Sequence, residues 1–287
     1  MNRDILNMIH ENMSNFSKGQ KRIASYILES YDKAAFMTAS KLGKTVDVSE
    51  STVVRFATEL GYDGYPSMQR SLQKVIRNRL TSVQRIEVSY DRIGTQDVLS
   101  NVLQSDIEKI RLTMEEVDHI SFQQAVDAIV EAKKIYIIGV RSAAAIATFL
   151  HFYFNLIFDN VVMVTANTAS EVFEQLIRVS AEDVVIGISF PRYSSRTVQA
   201  MRYARDQGAK TIAITDSEVS PLAPISSVTL KARSDMVSFV DSLVAPLSLV
   251  NALLVAVSRK KDVELAQTFQ KLEKIWDEYG VYEKIQG

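Results

Sequence analysis

Three segments of the chain place hydroxyl groups directly after short apolar runs. IYIIG leads into Val140-Arg141-Ser142, and DVVIGIS leads into Phe190-Pro191-Arg192-Tyr193-Ser194-Ser195-Arg196-Thr197. KTIAITD leads into Ser217, with Ser220-Pro221-Leu222 close behind. Each run reads as a β-strand, and each hydroxyl group falls where the next element begins. The N–H groups of a helix start favour an anion, and converging N–H and O–H donors suit a phosphate carried on a polyol. Arg141, Ser142, Ser189, Arg192, Ser194, Ser195 and Thr197 are therefore the candidate ligand-binding residues. Any one of these Ser or Thr is equally at home as a helix N-cap. Three such segments on one sheet edge favour a small anionic ligand.

A second constellation lies in residues 38–61, which read as two short helices and a tight turn. Thr38 and Ser49 stand at N-cap positions, and Gly61 suits a left-handed C-terminal position. Val53, Phe56, Ala57 and Leu60 recur at helical spacing as a core face. The other face carries Ser49, Ser51, Thr52 and Arg55. Short polar residues at a helix start and a cation one turn later are what a helix needs to meet base edges and phosphates. Lys18, Lys21 and Arg22 in the preceding helix, and Tyr65 in the following loop, are candidate phosphate contacts. A helical hairpin with a solvated polar face is the plainer reading of the same stretch.

Catalytic patterns are poor. His10, His119 and His151 are scattered without metal-ligand spacing, and His151 reads as a packed core histidine. With no cysteine there is no thiol nucleophile, disulfide or thiolate metal site. Asp159 and Glu171 near strand ends are acidic enough for base chemistry, but a surface or capping role fits each better. No catalytic residue, metal or cofactor is assigned.

The elements that must position these groups follow from periodicity. Helices are expected over 2–14, 18–31, the pair just described, and 68–80 after Ser67, a five-helix head. Residues 81–96 read as a linker and 97–116 as a long helix. Another helix is expected over 121–132, and from Lys134 onward short apolar strands alternate with helices, as in a parallel sheet covered on both faces. An amphipathic helix over 262–278 closes the chain, packed on the body or on a partner subunit. Residues 1–80 hold 12 Lys and Arg against 8 Asp and Glu, whereas the whole chain holds 33 against 34. A basic head on an acidic remainder fits a nucleic-acid partner. No signal peptide or membrane span is expected, since Ser242–Ser258 is short for a bilayer, and a cytoplasmic protein is the reading.

The stretches SKGQKRIASYI and FMTASKLGKTVDVSESTVVRFATELGYDGYPSMQ resemble the helix-turn-helix head of the MurR/RpiR family of bacterial transcriptional regulators. Residues 134–260 resemble a SIS (sugar isomerase) domain. The resemblance implies an all-α helix-turn-helix head over 1–80, a linker and connecting helix over 81–120, an α/β SIS domain over 121–265 and a C-terminal helix over 266–287. It implies a homodimer or homotetramer that binds operator DNA, regulates sugar or amino-sugar metabolism and senses a phosphorylated sugar. Ser142 matches the serine of the first SIS loop, where Arg141 replaces the second glycine of G-x-G-x-S. Ser189 and Thr197 match the ends of S-x-S-G-x-T, here enlarged and without its glycine, so that Ser194 or Ser195 takes the middle serine's place. Two rivals remain: a sugar-phosphate isomerase with an appended helical domain, and a regulator whose vestigial SIS pocket serves only oligomerisation.

Overall fold

Apolar periodicity changes along the chain, and the architecture changes with it. The computed structural model describes residues 5–76, 83–86, 97–165, 168–236 and 240–283. It forms two units, Met1–Asn101 with Val237–Val240 and Val102–Met236 with Asp241–Gly287.

In the first unit the chain runs through α1 (Ile5–Glu11), α2 (Lys18–Glu29), α3 (Tyr31–Ala34), α4 (Ala39–Thr45), α5 (Glu50–Glu59) and α6 (Tyr65–Ile76). Ser17 starts α2 through a capping box. Its Oγ accepts the Gln20 N–H at 3.4 Å, and its own N–H donates to Gln20 Oε1 at 2.9 Å. Ile5, Ile9, Ile23, Ile27, Leu42, Phe56, Met68 and Leu72 fill one core. Each such side chain contributes roughly 1.5–3 kcal/mol on full burial. Two boundaries differ from expectation. The single turn α3 is an additional helix, and α6 begins at Tyr65 rather than after Ser67. Most of the expected linker, and residues 77–80, lie outside the described residues; 83–86 form a helical turn.

The long helix α7 (Val98–Glu116) and α8 (His119–Glu131) lead into the sheet. Then come β1 (Ile135–Gly139), α9 (Ala143–Ile157), β2 (Val161–Met163), α10 (Ala169–Leu176) and β3 (Val184–Ile188). After them follow α11 (Ser195–Asp206), β4 (Lys210–Thr215), β5 (Val228–Lys231), α12 (Val244–Lys260) and α13 (Asp262–Glu278). The five strands pair in parallel in the order β2-β1-β3-β4-β5. β1 and β3 are buried along their whole length. On one face Ile135, Ile137, Val184 and Ile186 pack with α8, α9 and α12; on the other Tyr136, Ile138 and Val185 pack with α10 and α11. The chain is thus a helical N-terminal region followed by an α/β domain with a parallel sheet. β2 stops short of Thr165 because that N–H donates to Gln175 Oε1, at 3.0 Å, instead of continuing the ladder. Among the described residues no helix is long and apolar enough to cross a membrane.

Gly139 ends β1 where α9 comes closest. A Cβ there would stand 2.6 Å from the Ala143 carbonyl oxygen and 2.9 Å from Ala147 Cβ. Neither neighbour is a flexible side-chain tip, so α9 must move to admit it. Gly139→Ala is expected to cost about 1–3 kcal/mol as an overpacking change. Urea denaturation reads this directly, and an unchanged midpoint would show that the two elements are not in close contact.

Candidate functional site

The turn between α4 and α5 is short because Gly43 lies beneath it. Val48 donates its N–H to the Gly43 carbonyl at 2.8 Å, and a Cβ on Gly43 would lie 2.8 Å from the Val48 carbonyl oxygen. Asp47 in the turn has a left-handed φ of 53°, which Asp tolerates better than most residues. Arg22 closes over it: Nη1 donates to Asp47 Oδ2 at 3.0 Å and Nη2 to the Asp47 carbonyl at 2.6 Å. Arg22, expected among the phosphate contacts, spends its guanidinium on the turn.

Ser49 caps α5, its Oγ accepting the Thr52 N–H at 3.3 Å and lying 2.9 Å and 2.8 Å from the Ser51 and Thr52 hydroxyls. Val53, Phe56 and Ala57 are buried, whereas Ser49, Ser51 and Arg55 are exposed and Thr52 is half-buried. Three hydroxyls therefore cluster at the positive end of the α5 dipole, with a guanidinium one turn on. A Cβ on Gly19 would lie 3.5 Å from Thr52 Cγ2, so the first turn of α2, with exposed Lys18, stands beside the first turn of α5. Lys21 is exposed one turn further along α2. Gln20 Nε2 donates to the Glu59 carboxylate and ties α2 to α5.

Tyr65 does not belong with these groups. It is 4% exposed, and its hydroxyl donates to the Met37 carbonyl at 2.7 Å. Burial pushes its phenol up to about 12. The reason is the early start of α6: Tyr65, Met68 and Leu72 then form one apolar stripe, and the tyrosine turns inward with it.

In the second unit the strand order reverses between β1 and β3. The chain leaves β1 for α9 on one face and β3 for α11 on the other, and the C-terminal ends at such a reversal are where open sheets of this kind bind ligands. Arg141, Ser142 and the 189–197 loop all stand at this edge. Arg141 is exposed and has a left-handed φ of 61°, at the position where the SIS pattern has its second glycine. Ser142 is exposed at the N-cap of α9 and makes no side-chain capping bond. Ser189 is buried, and its Oγ accepts the Ser194 N–H at 3.0 Å, folding the loop back on the strand. Ser194 caps α11 by accepting the Thr197 N–H at 3.4 Å. Ser195 and Arg192 are exposed. Thr197 is fully buried in the first turn of α11, and its Oγ1 has no hydrogen-bond partner in the protein.

The third segment braces the second rather than adding free donors. Thr215 Oγ1 donates to the Ser189 carbonyl at 2.8 Å and lies 2.8 Å from Ser220 Oγ. Tyr193 donates its hydroxyl to Asp216 Oδ1 at 2.7 Å. Burial first, and the Asp216 carboxylate next, push the Tyr193 phenol well above its ordinary range. No spacing in the sequence announces this pair, which forms only when adjacent strands bring their ends together. His151 is half-buried on α9 beside Asn155 Nδ2 at 3.1 Å, not packed in the core as expected. Glu171 closes a capping box with Thr168.

Known proteins share both halves. The model of the helix-turn-helix domain of the rpiR family matches residues 3–79, and that of the SIS domain matches residues 128–256. The transcriptional regulator HexR of Escherichia coli K12 is 25% identical over 276 residues, covering 94% of this chain and 93% of its own. The sugar isomerase domain of an RpiR transcription factor from Sphaerobacter thermophilus is 28% identical with a TM-score of 0.60, over 62% of this chain and 99% of that one. The Vibrio vulnificus NanR protein, complexed with ManNAc-6P, has the same fold at a TM-score of 0.59 and 23% identity, over 96% of this chain and 98% of its own. A helix-turn-helix head with its polar face exposed, followed by a SIS domain, makes this chain a transcriptional regulator of the RpiR family.

Proposed function

We propose that this regulator grips operator DNA through α5 and answers to a phosphorylated sugar held at the C-terminal edge of β1 and β3, in the control of sugar or amino-sugar metabolism. The observation that carries the reading is the Thr197 hydroxyl. A buried hydroxyl needs a partner, and this one lies in the first helical turn at the strand-order reversal, where helix N–H groups attract an anion. Ser142, whose side chain caps nothing, and the Arg141 guanidinium border the same edge. ManNAc-6P, the ligand in the NanR complex, is of the proposed class.

In the head, Ser49, Ser51, Thr52 and Arg55 meet DNA, with Lys18 and Lys21 on its backbone. Two heads on a two-fold axis read a pseudo-palindrome, so the working form is a homodimer or homotetramer in the cytoplasm. The ligand is sensed without being turned over. It shifts operator binding by its different affinity for two arrangements of the heads.

Fluorescence anisotropy on DNA from upstream of the chain's own gene, repeated with a panel of sugar phosphates, tests the whole reading. Sequence-selective binding that one sugar phosphate changes is the expected result; turnover of that sugar phosphate would replace regulator by isomerase. In the same titration Arg55→Ala is expected to cost roughly 1–3 kcal/mol of affinity with no change in Tm. Lys18→Ala and Lys21→Ala each lower the salt slope by about 1. Arg22→Ala weakens binding and leaves the slope unchanged, because its guanidinium holds the turn. A lower slope for that variant would restore it to the phosphate contacts.

Two pocket variants separate stability from binding. Thr197→Val removes a hydroxyl with no protein partner, so Tm should hold. Effector affinity should fall by about 1.5–3 kcal/mol, one hydrogen bond to a charged group. Equal effector titrations for both proteins would exclude Thr197 from the pocket. Arg141→Gly relieves a left-handed conformation that costs roughly 1–2 kcal/mol, less about 0.5–1 kcal/mol for the extra freedom of glycine when unfolded. A raised Tm with a weakened effector response is expected, and a lowered Tm would contradict the strain.

A further inference from the structure

The residues that α7 buries are polar, while several of its apolar residues are exposed. Its two buried residues are Lys109, 4% exposed, and Thr113, 7% exposed. Lys109 Nζ donates to Ser105 Oγ at 2.8 Å and pairs with Asp106 at 3.3 Å, while Asp106 accepts from Ser242 Oγ at 2.6 Å. Thr113 Oγ1 accepts the Arg233 N–H at 2.9 Å, and the Arg233 guanidinium meets Glu116. These bonds pin one side of the helix to the second unit. Rolling another side inward would leave Lys109 and its partners buried and unpaired, a costly exchange.

On a neighbouring side, Leu103, Ile107, Ile110 and Met114 are 54%, 58%, 39% and 67% exposed. Helices ordinarily turn such a stripe to the core. The steps of four, three and four residues are those with which one helix seats its side chains between those of another. The occupant this spacing selects is a helix, and the helix known to carry the matching spacing is the same one in another molecule. The flanks suit it too. Arg111 lies on one side of the stripe and Asp106 on the other, so the borders are mixed in sign and do not repel a second copy. The four side chains expose on the order of 400 Å² together, the size at which an apolar patch marks an interaction site. Pairing two copies removes about twice that from the stripes alone, close to the roughly 1,000 Å² of a specific interface.

We infer that Leu103, Ile107, Ile110 and Met114 of α7 form a seam that pairs with the same seam of a second copy of this chain. The inference rests on the oligomeric part of the proposed function and names the surface that carries it.

Sedimentation of the full chain tests both, and each substituted residue is exposed, so the core is untouched. The wild type is expected to sediment as a dimer or larger. The double variant Ile107→Glu, Ile110→Glu is expected to fall to half that mass or less while its circular dichroism is unchanged. The chain has no cysteine, so an introduced thiol can link only to its counterpart. Ile107→Cys, alone or mixed with Ile110→Cys, should give a covalent dimer on mild oxidation, the first if the helices run parallel and the second if antiparallel. This readout stands even if the charged variant fails to fold. A wild-type oligomer whose mass the double variant leaves unchanged, with no disulfide dimer, overturns the seam and leaves the oligomeric reading intact. A wild type that is monomeric at tens of micromolar overturns both.

Discussion

Every strand of the sheet runs parallel to its neighbours, so each return to the starting edge passes over one face or the other. β1 and β3 are buried on both sides, which requires helices on both faces, and the two strands send their chains in opposite directions to supply them. The strand-order reversal where Arg141, Ser142 and the 189–197 loop collect is a consequence of that covering. Two glycines let helices pack closely on the sheet, one against helix backbone and one against a side chain. A Cβ on Gly139 would strike the α9 backbone, and a Cβ on Gly187 would lie 2.5 Å from Met201 Sδ on α11. α9 therefore sits as close to β1 as glycine allows, and α11 packs its Met201 side chain into the space that Gly187 leaves.

The head meets a related constraint with polar ties. The helices α1 to α6 enclose a small core, and links between them are held by side chains bonded to backbone. Gln69 and Gln73 donate to the Met37 and Ala35 carbonyls at 2.7 Å and 2.8 Å, alongside Tyr65. Arg22 does the same for the turn before α5. On α5 the exposed Ser51 and Arg55 side chains have no such duty, whereas Ser49 both caps the helix and faces outward and Glu59 accepts the Gln20 amide. A side chain that positions the helix and one that can reach a partner look alike in composition. Arg22 and Arg55 differ only in whether Asp47 lies within reach.

Much of this was legible from residue order. Thr38 and Ser49 read as caps and are caps, because an N-cap acts on a backbone N–H three residues away. The strands read as apolar runs because a parallel strand buried on both faces leaves no polar alternation. The hydroxyl-rich loops after β1 and β3 were found from their place between strand and helix. One local signal misleads by a fraction of a turn. Ser67 looked like a cap, whereas α6 starts at Tyr65, and the tyrosine faces inward as a result.

Short-range order thus determined the elements, their caps, the change from helical to alternating architecture and the hydroxyl-rich strand ends, since each depends on residues within a turn or a strand of one another. Tertiary structure alone decided which polar groups remain available. The Tyr193–Asp216 pair spans 23 residues and the Arg22–Asp47 pair 25. The burial of Lys109 beneath an exposed apolar stripe depends on Ser242 and Arg233, more than a hundred residues further along the chain. Hydrogen bonds and burial at such separations are set by how whole elements pack, and no local pattern encodes them.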